Sequence, residues 1–528
     1  MGQGQVLLLS GEAGIGKSRL VQVLKDHVAH ELHTRIEWRG SAYHQQSALY
    51  PVILQLQRLL RWQEKETPEE QLRMLETVLA ASGLVLPEVV PLLAALLALP
   101  LPARYPTLTL TPQRQRQQTL ETLLAWLAAE ARRQPVLVLV EDLHWIDPST
   151  LELLSLLIDQ VASARLCLVL TTRPEFRPPW PMVAHLTALT LRRFAPAQIT
   201  RLAAHVAGDK ALPPAVLEEV VRKTDGVPLF VEELTKVVLE SGLLQEREDR
   251  YELTGSLPPL AIPASLHDAL MARLDRLAVA KLVAQLGAAI GRTFTYDLVQ
   301  AVAPLNEATL QEALAQLVEA ELVVQRGMPP QATYTFKHAL IQDAAHQSLL
   351  RGTRQQYHQR IAQILTERFP ETAETQPELL AQHYTEARLG EQAVVYWQWA
   401  GQQALQRSAY LEAGQHLTTG LALLATLPET PGRAKQEIDL QLALGSALIA
   451  TKGNTAPEVE QAYVRARALC VQIGETPQLL PTLRDLCRFY ISRGALPMAR
   501  ELGEQLVRLA EHTADPTRRL EAHSNQWY

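Results

Sequence analysis

Residues Gly11 to Ser18 read GEAGIGKS and fit the pattern G-x-x-x-x-G-K-[ST]. An apolar run, Gln5-Val6-Leu7-Leu8-Leu9-Ser10, comes just before, and a helix-forming stretch, Arg19-Leu20-Val21-Gln22-Val23-Leu24-Lys25, comes just after. Strand, glycine loop and helix in that order make a phosphate-binding loop. Gly11, Gly14 and Gly16 let the backbone bend until successive N–H groups face one anion. The helix opening near Lys17 aims its positive end at the same point. Lys17 adds a mobile charge for the outer phosphates, and the Ser18 hydroxyl suits Mg²⁺. Glu12, Ala13, Ile15 and Arg19 complete the stretch expected around the nucleotide.

Such a loop belongs in a parallel sheet, and the chain offers four more strand-length runs. They are residues 35–38, 135–140, 166–170 and 186–191, which gives an α/β core with five strands. The run 135–140 (PVLVLV) ends in Glu141-Asp142. A carboxylate at the tip of the strand beside the phosphate-loop strand is expected to hold Mg²⁺ or its waters. A second carboxylate polarises an attacking water. Arg173 follows the run 166–170, where an arginine faces the ligand crevice of a parallel sheet. Between the early runs lie an amphipathic helix at 49–62, a helical insertion rich in Leu and Ala at 68–102, and a long helix at 111–133. Arg114 and Arg116 read as its solvated face.

The segment Glu141-Asp142-Leu143-His144-Trp145-Ile146-Asp147-Pro148-Ser149-Thr150 is similar to the one after Walker B in signal-transduction ATPases with numerous domains, the STAND class. It looks especially like the AAA-type ATPase modules of bacterial transcriptional regulators and of nucleotide-cyclase fusions. The resemblance implies that Glu141, where the family more often has Asp, takes the metal, and that Asp142 is the base. It implies that Arg173 is the sensor that touches the γ-phosphate. Residues Thr224-Asp225-Gly226-Val227-Pro228-Leu229-Phe230 resemble the family's glycine–x–proline motif. In that motif Pro228 would pack near the adenine and link nucleotide state to domain position. The run Tyr334-Thr335-Phe336-Lys337-His338-Ala339-Leu340-Ile341-Gln342-Asp343 resembles the family's join between winged helix and helical tail. The implied cofactors are ATP and Mg²⁺, with slow hydrolysis and self-association in the ATP-bound state. Asp147 also reads as an N-cap before a first-turn proline, and His144 as a packed or hydrogen-bonded histidine rather than a phosphate sensor.

Four domains are expected: the P-loop ATPase core at 1–194, an all-α lid at 195–260, a winged-helix-like domain at 261–352, and tetratricopeptide-like repeats at 353–528. The winged-helix reading rests on helices at 265–277, 279–290, 295–302 and 307–320, followed by a ribbon at 322–325 and 333–336. The helix before the ribbon carries Glu307, Glu312 and Glu319 and no Lys or Arg, so direct DNA binding is not expected. In the tail, Ala381, Tyr384, Ala393, Trp397 and Ala400 match small and large consensus positions of the repeat. Cys487, Tyr490, Gly494 and Ala499 repeat that register, at a distance close to three periods of about 34 residues. A helical solenoid offers a surface for a protein or small-molecule signal.

Composition sets the outer bounds. At 528 residues the chain is too long for one core, and 47% hydrophobic content makes it globular. A net charge of −6 gives no general attraction to nucleic acid or anionic membrane. The three cysteines, Cys167, Cys470 and Cys487, form no C-x-x-C pair, which fits a reducing, cytoplasmic setting. The longest apolar stretch, 89–101, is short and broken by Pro91 and Pro100, so no membrane span is expected. The first strand starts almost at Met1 and the chain stops soon after a repeat-like helix, so a piece of a longer protein is expected. The reading is an ATP-binding, ATP-hydrolysing signalling switch. Its alternative is a nucleotide-binding scaffold with little or no turnover.

Overall fold

The computed structural model describes residues 3–60, 62, 66–255, 263–474 and 477–511. The expected junction at 260–261 and the end of the repeats near Tyr528 lie outside the described residues. The chain divides into two compact units that interleave in sequence. One gathers residues 1–42, 124–146 and 153–367, and the other 43–123, 147–152 and 368–528.

The first unit is built on a five-stranded parallel sheet of β1 (Gln5–Ser10), β2 (Thr34–Arg39), β3 (Val136–Glu141), β4 (Leu166–Thr172) and β5 (Leu186–Thr190). Its order is β2-β3-β4-β1-β5. This corrects one expectation: the strand carrying Glu141 is not beside the phosphate-loop strand. β4 stands between them, pairing Leu9 with Thr171 on one side and Val140 with Leu170 on the other. A buried parallel strand reads as the same apolar run wherever it stands, so its neighbours are not encoded locally. The helix α1 (Lys17–His27) covers the sheet, with Val21 packed on Leu9, Leu137, Leu139 and Val169.

The lid holds the helices Pro196–Val206, Pro214–Thr224 and Pro228–Glu240, each opened by a proline whose missing N–H costs nothing there. It is not all helical. A two-stranded ribbon of β6 (Leu244–Glu246) and β7 (Tyr251–Leu253) follows, with Glu252 paired to Arg247 and Arg250. Strands of three residues are too short to show alternation.

The next domain has helices Leu266–Asp275, Val279–Ile290, Tyr296–Val302 and Glu307–Glu319. Its antiparallel sheet contains β8 (Thr293–Thr295), β9 (Val323–Arg326) and β10 (Thr333–Phe336) in the order β8-β10-β9. The sequence reading expected two of these strands. β8 escapes it because three residues between two helices carry no periodic signal. A buried ion pair, Arg273 Nη1 to Glu233 Oε2 at 2.5 Å, ties this domain to the lid.

The second unit is helical. Its later part is an α-solenoid with helices Pro377–Glu386, Gly390–Gln406, Tyr410–Leu424, Pro431–Lys452, Pro457–Ile473, Leu479–Ser492 and Leu496–Glu511. The repeat-register residues Ala381, Tyr384, Ala393, Trp397 and Ala400 are buried between helices, as are Cys487, Tyr490 and Ala499. The two registers are out of phase, however. Three regular periods would place five helices between Pro377–Glu386 and Leu479–Ser492, and four stand there. The 22-residue helix Pro431–Lys452 takes up the missing length. Residues 147–152 belong to this unit. Fully buried Asp147 caps its helix, accepting the Thr150 N–H at 2.8 Å, and also accepts the Leu49 N–H at 2.9 Å. The Ser149 N–H donates to Glu412 Oε1 at 2.9 Å. Among the described residues no helix is long and apolar enough to cross a membrane.

Candidate functional site

The glycine loop runs from the end of β1 into α1. Gly14 (φ 77°) and Gly16 (φ 103°) occupy left-handed backbone that only glycine adopts freely. Ile15 is buried beneath the loop, while Glu12 and Arg19 are exposed. Lys17 is 8% exposed, and its Nζ donates to the carbonyls of Gly11 at 2.6 Å and Glu12 at 2.9 Å. Burial lowers its pKa from the ordinary value, and the charge of Asp142 opposes that shift. Lys17 therefore lies within the electrostatic reach of the second acid.

Glu141 ends β3, directly opposite Arg39 at the end of β2. Arg39 Nη2 is 2.7 Å from Glu141 Oε1, and the Ser18 side chain hydrogen-bonds the same carboxylate. Burial works against the charge of Glu141. Arg39 and Ser18 outweigh it and hold the pKa below the usual carboxylate value. The other oxygen, Oε2, is buried without a hydrogen-bond partner among the described residues. A serine hydroxyl and an ionised carboxylate with a free oxygen are a donor set that suits a hard divalent cation.

Asp142 takes left-handed backbone (φ 61°), and its N–H donates to Thr171 Oγ1 at 3.0 Å. Asp tolerates this conformation better than most side chains, and strained backbone of this kind concentrates at functional sites. Its Oδ2 is 2.7 Å from Arg292 Nη1, an arginine of the winged-helix-like domain. His144 lies beside it with both ring nitrogens buried and unpartnered. Burial pushes its pKa down to about 4, so it is a neutral packed ring, as its sequence position suggested. Arg173 follows β4 and places its guanidinium 5.0 Å from the centre of the Trp145 ring.

The lid touches the loop. The Leu229 N–H, next to Pro228 at the first turn of its helix, donates to the Gly14 carbonyl at 3.1 Å. Gly226 (φ 75°) packs so tightly that a Cβ there would lie 2.4 Å from the Phe194 carbonyl oxygen. Arg193 pairs with Glu12 of the loop and with Asp225 of the lid.

The structure thus brings Lys17, Ser18, Glu141, Asp142 and the residue after Pro228 to one end of the sheet. It keeps Arg173 against Trp145. Sequence reasoning missed Arg39, Arg193 and Arg292. Arg39 had a signal, since a charged residue closes a strand-like run. Arg292 had none, standing 150 positions from its partner. Half-buried Asp343, in the motif before the tail, also feels the charges of Arg173 and Arg292.

Residues 1–169 match the family model described as AAA ATPase domain. Over 468 residues the chain is 30% identical to an uncharacterized protein of Rhizobium meliloti (strain 1021). That alignment covers 88% of this chain and 44% of the relative, so the chain spans less than half the length of the curated protein it matches. Among solved structures it overlays on a STAND protein with a tetratricopeptide repeat sensor from Pyrococcus horikoshii, at 10% identity and a TM-score of 0.38. That overlay covers 99% of this chain and 77% of the other. A second overlay, on the Drosophila ORC bound to DNA, has 13% identity and a TM-score of 0.25, covering 64% and 88%. At those scores neither overlay adds to the argument. Residues 1–169, which carry the phosphate-binding loop and most of the parallel sheet, are thus similar to the AAA ATPase domain.

Proposed function

We propose that the chain is a STAND-type signalling switch that binds ATP with Mg²⁺ and hydrolyses it slowly. Gly11 to Ser18 would cradle the phosphates, with Lys17 at the outer ones. Ser18 and Glu141 would hold the metal, which would neutralise phosphate charge. Asp142 would accept the proton of the attacking water, and Arg173 would read the terminal phosphate after leaving Trp145. Pro228 would sit near the base.

One observation carries this reading. The loop is bonded to the lid through Gly14 and Leu229, and the acid after Glu141 is bonded to the next domain through Arg292. A nucleotide site whose loop is tied to one following domain and whose second acid is tied to the next is arranged to change their positions when its ligand changes. The repeats would receive a protein or small-molecule signal, and ATP-bound copies would associate. The compartment proposed is the cytoplasm. The domain limits proposed remain 1–194, 195–260, 261–352 and 353–528.

Titration of a fluorescent ATP analogue tests the core of this. Lys17→Ala should abolish tight binding; unchanged affinity would refute the assignment. A second reading is a nucleotide-binding scaffold with little turnover. The engagement of Asp142 by Arg292 favours it, because a carboxylate oxygen held by a guanidinium faces that partner and not a water. Release of inorganic phosphate by wild-type protein but not by Lys17→Ala would exclude it.

A further inference from the structure

Arg292 is mounted rigidly. Its carbonyl accepts the Phe336 N–H of β10 at 2.9 Å, and its neighbour Phe294 is buried against Tyr334 and Phe336. Gly287 leaves room for Phe294, since a Cβ there would lie 2.5 Å from the ring. From this mount the side chain, 12% exposed, reaches Asp142, 16% exposed. Its Nε is buried without a hydrogen-bond partner among the described residues. The groups around it are Asp142, Glu141, Arg39, Asp343 and His338, and Arg39 is already held by Glu141. Asp142 is thus the ion-pair partner of Arg292, and the pairing uses the oxygen Oδ2.

The geometry points to Arg292 as a positioning residue that holds Asp142 while the winged-helix-like domain is seated, so that seating and nucleoside triphosphate binding oppose each other through this one ion pair. This rests on the proposal that Gly11 to Ser18 takes ATP with Mg²⁺. A carboxylate oxygen held by a guanidinium faces that partner and is not turned to an attacking water. The domain must release Asp142 before it serves as a base. Linkage then works in both directions. A ligand that needs Asp142 free loosens the domain, and loosening the domain favours that ligand. A diphosphate lacks the terminal group that would call on Asp142 and would be coupled more weakly.

The test uses the whole chain, fluorescent analogues of ATP and ADP with Mg²⁺, and hydrogen exchange in peptides covering Thr293–Thr295. In the wild type, Mg·ATP should speed exchange there and Mg·ADP should not. Arg292→Gln should exchange fast without nucleotide and should raise the affinity for Mg·ATP over Mg·ADP by about fivefold or more. Arg292→Lys keeps the charge and should stay near the wild type. A purely structural arginine would leave the affinity ratio unchanged, and a direct phosphate ligand would lower the ATP affinity when removed. Either result overturns the inference. Asp142→Asn breaks the same pair from the other side and should speed exchange at Thr293–Thr295 with no nucleotide present. That arm stands if Arg292→Gln fails to fold, and unchanged exchange in it refutes the inference. A wild type that binds no nucleotide would refute the proposed function instead, and the Asp142→Asn arm would still decide the ion pair.

Discussion

Asp147 is fully buried in the helical unit, and burial together with the charge of Glu412 pushes its pKa from an ordinary 3.8 up to about 7. Hydrogen bonds from Thr150 and Leu49 oppose the shift without cancelling it. The folded state therefore binds this proton more tightly than the unfolded one. The resulting stability is fully present below pH 3.8, falls as pH rises, and is gone above about 7. The gap from 3.8 to about 7 is worth roughly 4 kcal/mol, because one pH unit of affinity is about 1.4 kcal/mol. Between pH 5 and 8 the wild type should lose about 2–3 kcal/mol from this group alone. Asp147→Asn keeps an oxygen for the Leu49 and Thr150 N–H groups and removes the charge. Urea unfolding followed by helical circular dichroism measures the effect at pH 5, 6, 7 and 8. The variant should gain on the wild type steadily with pH and be the more stable of the two at pH 8. Equal pH slopes for the two proteins would refute the reasoning.

Three further outcomes follow from the geometry. Gly226→Ala combines a left-handed φ with a Cβ 2.4 Å from a backbone oxygen, so it should cost about 1–3 kcal/mol in thermal unfolding and weaken nucleotide retention. Arg273→Ala leaves Glu233 buried and unpaired, so it should destabilise the chain by about 3–5 kcal/mol in denaturant titration, with less loss when Glu233→Gln is added. Asp142→Asn should slow phosphate release more than it weakens ATP binding; a full rate of release would remove Asp142 from the role of base.

The sequence disclosed most where function needs consecutive residues. Gly11 to Ser18 was legible because a phosphate is wrapped by neighbouring N–H groups. Glu141-Asp142 was legible because acids rarely end an apolar strand without purpose. What escaped depends on partners distant in the chain. Placing β4 between β3 and β1 is a matter of sheet order, and an apolar run such as PVLVLV carries no mark of its neighbours. Arg292 stands in an ordinary Gly-Arg-Thr stretch and acquires meaning only when the fold sets it against Asp142. The ribbon of the lid and the strand β8 of the winged-helix-like domain were short enough to vanish among helices. The repeats were recognised from small and aromatic residues at fixed offsets, but a helix of 22 residues in the middle shifted their phase.

The central claim is that the glycine loop and its acids bind a nucleoside triphosphate that the following domains sense. The most direct measurement is to denature freshly purified protein, identify the nucleotide released, and repeat this after incubation with Mg·ATP. The account predicts close to one ADP or ATP per chain in the wild type and none in Lys17→Ala. Wild-type protein that releases no nucleotide, and takes up none from Mg·ATP, would contradict it.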